Sequence, residues 1–122
     1  MKSEIKDFFG SGLDCSLESY IPEEKDNFGV LLDIEVGIQD EEGSDVFYIT
    51  LCTPKWLIEN QANDKIILGL HYLIMFKYDY KILYDKLQEL FCIEGKDWEE
   101  IATKLSYIGH WEFQDYQEYI EE

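Results

Sequence analysis

From residue 28 the apolar side chains fall on every second position: Phe28, Val30, Leu32, Ile34, Val36 and Ile38. Gly29, Leu31, Asp33, Glu35 and Gly37 fill the gaps, so residues 28–38 predict one long strand with one wet face. Gln39-Asp40-Glu41-Glu42-Gly43-Ser44-Asp45 is acidic and turn-forming, and residues 46–52 return to β-forming side chains, which makes an antiparallel hairpin. Thr53 before Pro54 supplies a helix cap and a first helical position, carrying Trp56 and Leu57 into a short helix that fades near Asn60. Residues 60–65 read as polar loop. Residues 66–76 are apolar and β-branched enough for a more central strand, with the part before Gly69 open to being an extension of the loop or helix.

The spacing then changes to that of helices. Asp79 can cap a helix whose stripe is Tyr80, Leu83, Tyr84, Leu87, Leu90 and Phe91. Gly95 breaks it, and Asp97 with Glu100 forms a capping box for a second stripe, Trp98, Ile101, Ala102, Leu105 and Ile108, that Gly109 ends in a left-handed conformation. Residues 110–116 alternate weakly through Trp111 and Phe113, as a short edge strand would, before an acidic tail at 117–122. Strands, a short helix, a strand and two helices in that order predict an α+β fold: a small antiparallel sheet with helices packed on one face.

Composition narrows the partners. At 122 residues the chain is sized for one domain spanning 1–122. Its 27 acids stand against 10 bases, all of them lysine, for a net charge of −17. Without arginine it lacks the bidentate fork that reads guanine or clamps phosphate, and its charge repels polyanions. Nucleic acid and anionic membrane are therefore excluded as expected partners, and a basic protein is favoured. The charge is uneven: residues 1–45 hold 13 acids and 3 lysines, 46–93 hold 5 of each, and 94–122 hold 9 acids and 2 lysines. The N-terminal residues have no signal-peptide run, and residues 66–76 fall short of the roughly 20 apolar residues a membrane helix needs. A cytoplasmic location is expected.

Reactive chemistry finds no frame. Cys15, Cys52 and Cys92 form no C-x-x-C pair and read as reduced, buried thiols. His71 lies in an apolar run and His110 beside Trp111, without metal or triad spacing. The acidic loop lacks a calcium pattern, and the glycines make no phosphate cradle. The expectation is a protein with no catalytic centre, cofactor or metal, acting by contact.

Four stretches carry a resemblance. They are the lead-in at 17–22, Val46-Phe47-Tyr48-Ile49-Thr50-Leu51, Cys52-Thr53-Pro54-Lys55-Trp56-Leu57, and Trp111-Glu112-Phe113-Gln114-Asp115-Tyr116, with Trp98 as a weaker match. Over residues 13–116 the chain resembles the immunity protein 8 family, bacterial proteins encoded beside polymorphic toxins. The resemblance implies a non-catalytic partner that neutralises a toxin domain and does not name the toxin; the acidic charge suits a basic one, such as a nuclease. Thr53, Pro54, Trp56, Leu57, Trp98, Trp111 and Phe113 are expected to maintain the fold. The candidate toxin contacts are Asp40, Glu41, Glu42 and Asp45 in the hairpin loop, with Glu112, Asp115, Tyr116 and Glu118 near the C-terminus. The competing reading is an acidic adaptor or regulatory protein that binds a basic cellular protein.

Overall fold

The computed structural model describes residues 1–114 and begins with a strand that the hydrophobic pattern does not announce. This is β1 (Ser3–Gly10), followed by β2 (Gly29–Ile38), β3 (Asp45–Cys52), α1 (Pro54–Gln61), β4 (Tyr72–Ile74), α2 (Tyr80–Phe91), α3 (Trp98–Leu105) and β5 (His110–Trp111). β1, β2 and β3 form an antiparallel meander. The far edge of β3 is shared: β5 runs antiparallel along Phe47 and Tyr48, and β4 runs parallel along 50–52. The parallel pair follows from the connection: α1 and the loop after it bring the chain back beside Thr50, so β4 runs along the last three residues of β3 in the same direction.

The α+β expectation holds, with β2, β3 and the three helices close to their predicted places. Val30, Leu32, Ile34 and Val36 of β2 and Phe47, Ile49 and Leu51 of β3 point to one face. There they meet Leu83, Leu87 and Phe91 of α2 and Ile101, Ala102 and Leu105 of α3, all buried. α1 lies against the opposite face, since Gly29 points away from Val30 and a Cβ there would sit 2.2 Å from the Trp56 indole.

Each helix starts where its capping residue places it. Thr53 Oγ1 accepts from Trp56 N at 3.3 Å, Asp79 from Ile82 N at 3.3 Å, and Asp97 from Glu100 N at 2.8 Å. Thr53 does more than cap: fully buried, its Oγ1 also accepts from Phe28 N at 3.1 Å, tying the start of β2 to the start of α1. The lead-in between β1 and β2 is fixed by aromatic edges, with the Tyr78 ring centroid 5.1 Å from Tyr20 and 5.3 Å from Phe28. The Tyr78 hydroxyl donates to the Leu17 carbonyl, and burial pushes its pKa up to about 12.

Several expectations are corrected. Only 72–74 of the stretch 66–76 form a strand, and the residues before it turn through solvent, with Ile66 88% and Leu68 83% exposed. An unbroken apolar run carries no period, so it cannot separate a buried strand from an exposed loop. Tyr84 is 39% exposed, because its ring lies beside Phe8 of β1 at the rim of the core. Gly109 is not left-handed, since α3 ends through Ser106 in a right-handed conformation. Glycine is needed there for close approach: a Cβ would lie 3.3 Å from Phe47 Cβ and from the Tyr48 carbonyl oxygen. The C-terminal edge strand is His110–Trp111 within the described residues; the tail at 117–122 lies outside them. Among the described residues no helix is long and apolar enough to cross a membrane.

Candidate partner-binding site

The hairpin loop is built by its two ends. Asp40, at φ 66°, and Gly43, at φ 93°, reverse the chain, and Glu41 N donates to the Ile38 carbonyl at 3.1 Å. Asp40, Glu41 and Glu42 are exposed. Glu41 and Glu42 share a cleft of about 270 Å³ with Asp45 and Trp98, so the structure gathers these candidates beside an indole. Lys6 steadies the loop, donating from Nζ to the Glu41 carbonyl and to Glu4 Oε1, both at 2.7 Å.

Asp45 has structural work that its place in the acidic loop does not announce, and Glu112 pairs within the fold. Asp45 Oδ2 accepts from Trp98 Nε1 at 2.7 Å and from Trp111 Nε1 at 3.1 Å, so one carboxylate joins the hairpin, α3 and β5. Glu112 extends the β5 ladder: its N donates to the Val46 carbonyl at 3.0 Å, and its Oε1 accepts from Val46 N at 2.9 Å. Phe113 sets its ring edge-on to Trp111, with centroids 5.9 Å apart. Pro54 holds the first turn of α1, and Leu57 N donates to the Thr53 carbonyl at 3.1 Å. Asp115, Tyr116 and Glu118 lie outside the described residues.

A second surface was missed. The face of the sheet opposite α2 and α3 carries Phe9, Asp33 and Tyr48 as direct cross-strand neighbours, with Leu31, Glu35 and Thr50 in adjoining rows. Phe9 is 41% and Leu31 45% exposed. The available signal was Leu31 within the polar positions of β2 and Tyr48 in register with Asp33. Without β1 in the picture, half of the patch was invisible.

Asp33 is the unusual member. Its Oδ1 is shut off from solvent and has no hydrogen-bond partner among the described residues. Burial raises its pKa above the ordinary carboxylate value, so the folded protein holds this proton more tightly than the unfolded chain does. Stability therefore falls as pH rises through the folded-state pKa, and the cost disappears below the unfolded value. Asp33→Asn, which removes the charge that burial penalises, is expected to stabilise the protein by about 1 kcal/mol at pH 7, a small figure because the residue is only half-buried. The gain should vanish below about pH 4. Urea titrations at both pH values check this, and equal stability at pH 7 would contradict it.

The remaining reactive side chains are dispersed. Cys52 is buried and its thiol is pushed up by burial, Cys92 is half-buried, and Cys15 is exposed, contrary to the expectation of three buried thiols. His71 Nε2 lies 2.8 Å from the Ser106 carbonyl, and its ring centroid is 5.7 Å from that of His110. Among the described residues no group of three or more His, Cys, Asp or Glu is placed to hold a metal ion. What the arrangement offers is contact: an acidic loop tip beside a cleft, and an aromatic sheet face with carboxylates.

A family model described as immunity protein 8 matches residues 5–116. The match therefore takes in most of β1, which the residue-by-residue resemblance had left outside. No curated protein and no solved structure gives a match.

Proposed function

The chain belongs to the immunity protein 8 family, immunity proteins of toxin systems, and on that premise we propose that it neutralises a basic toxin domain in the cytoplasm. The toxin is of the polymorphic class, a nuclease domain being the kind that this charge fits best. Inhibition is by covering the active or substrate-binding surface, with no bond made or broken by the chain itself. The observation that carries the reading is the net charge of −17 without a single arginine, joined to three exposed carboxylates, Asp40, Glu41 and Glu42, at the hairpin tip. A surface of that sign raises the encounter rate with a basic protein and mimics the phosphates that such a toxin would bind. Asp45, Glu112, Asp115, Tyr116 and Glu118 complete the candidate set; the first two reach a partner only where their structural bonds leave the carboxylate edge open.

Co-expression with the toxin encoded beside its gene tests the reading. Cells should survive with the chain and die without it, and death at the same rate in both would remove the immunity role. Binding kinetics separate steering from grip. Changing Asp40, Glu41 and Glu42 together to serine should slow association about tenfold at low salt and leave dissociation nearly unchanged. The difference should shrink at physiological ionic strength, where screening acts over about 8 Å. An acidic adaptor would instead be retained by a basic host protein and give no protection.

A further inference from the structure

The open face of the sheet has the composition of a docking surface and a charge that specifies its occupant. One row across the strands reads Phe9, Asp33, Tyr48 and His110, from β1 through β2 and β3 to β5. The next places Asp7 directly opposite Glu35, a pairing of like charges that costs stability in a sheet. The lysine that this edge supplies, Lys6, is already engaged by Glu4 at 2.7 Å. Among the described residues Asp7 Oδ1 accepts from the neighbouring Phe8 N alone, at 2.9 Å, and Glu35 Oε1 accepts from Ser44 Oγ at 3.4 Å. Asp33 Oδ1 has no hydrogen-bond partner among the described residues. Three carboxylates thus stand on an aromatic and aliphatic surface with no ion pair among the described residues.

We infer that this face is where the toxin docks, and that an arginine or lysine side chain of the toxin enters between Phe9 and Tyr48 to reach the Asp33 carboxylate. The inference rests on the toxin-binding reading above and adds the location and the chemistry of the anchor. A cation suits the place for two reasons. Cross-strand neighbours stand about 5 Å apart at Cβ, so aromatic rings on both sides of Asp33 can line a slot for a guanidinium or ammonium group. The same cation relieves the repulsion between Asp7 and Glu35 and gives Asp33 the donor that it lacks. On one side the row of Leu31 and Thr50 adds aliphatic surface that a docked partner would bury beside such a pair, the setting in which one contact dominates an interface. The hairpin tip then acts as the steering element, and the sheet face as the grip.

The experiment uses the full chain and the toxin domain encoded beside its gene, inactivated by substitution, with affinity and dissociation rate read by a surface-bound assay. Asp33→Asn should weaken binding by at least about thirtyfold, mainly through faster dissociation. Because that variant is expected to be the more stable protein, lost affinity cannot be ascribed to unfolding. Tyr48→Leu, which keeps an apolar side chain but removes the ring, should weaken binding about tenfold. Phe76→Ser is the control, in the separate apolar groove of about 360 Å³ between β4 and α2, and should leave affinity unchanged. Wild-type affinity in both Asp33→Asn and Tyr48→Leu overturns the inference while leaving the toxin reading intact. Lost affinity confined to Phe76→Ser overturns it in favour of the groove. Absence of any complex with the wild-type chain overturns the toxin reading, and the docking face with it.

Discussion

Truncating Phe91 to alanine is expected to remove about 3–5 kcal/mol of stability. Its ring is fully buried at the end of α2, 6.1 Å from the centroid of Phe47, with Gly109 closing over it from the far side. Strand β3 and the turn after α3 both pack against this ring, so no single element can move to fill the space that it leaves. Against a total of about 5–15 kcal/mol for a domain of ordinary stability, the loss is roughly a fifth or more. Urea titration should give a lower midpoint at an unchanged slope. Ile66→Ala, at an 88% exposed position, serves as comparison and should stay within about 0.5 kcal/mol of the parent. A Phe91→Ala variant losing less than about 1 kcal/mol would show that the helices do not seat on the sheet as described.

Asp45→Ala comes next in size, at about 2–3 kcal/mol. Two indole N–H groups share Oδ2, and both lose a charged acceptor at once in a partly buried setting. Asp45→Asn keeps an acceptor oxygen and gives up only the charge, so about 1 kcal/mol is expected for it. Tryptophan fluorescence provides a second readout, since Trp98 and Trp111 should both shift to the red in the alanine variant. A thermodynamic cycle with Trp98→Phe and Trp111→Phe should show strong non-additivity, because the three residues form one unit. Additive losses would mean that the carboxylate serves each indole independently.

These two sites also mark what could and could not be read from the chain. Local signals survived intact. The two-residue period of β2 and the caps at Thr53, Asp79 and Asp97 depend on neighbours within four positions, and the structure has each of them in its expected role. β1 was hidden because a register shift between Ile5 and Asp7 interrupts its alternation, while Ser3 and Gly10 occupy inward places that normally hold apolar side chains. Asp45 was grouped with the acidic loop because its indole partners lie 53 and 66 residues away. Nothing near Asp45 in sequence marks it as different from Asp40 or Glu42. The sheet face followed the same logic, since its central row needs Phe9, Asp33 and Tyr48 from three strands, one of them unrecognised.

Ser3 sets an order of events during synthesis. Its N donates to the Ile93 carbonyl at 2.9 Å and its Oγ to the Phe91 carbonyl at 2.7 Å, bonds that span 88 to 90 residues. On the ribosome β1 can zip to β2, Ser3 beside Ile38, as soon as the hairpin partner has emerged, but the bonds from Ser3 to residues 91 and 93 wait until residue 93 has left the tunnel. At about 5–20 residues per second, that leaves several seconds between the two steps. For those seconds the nascent sheet has an unlatched edge, and the immature chain depends on its dense negative charge to keep neighbouring polypeptides from adding a strand there.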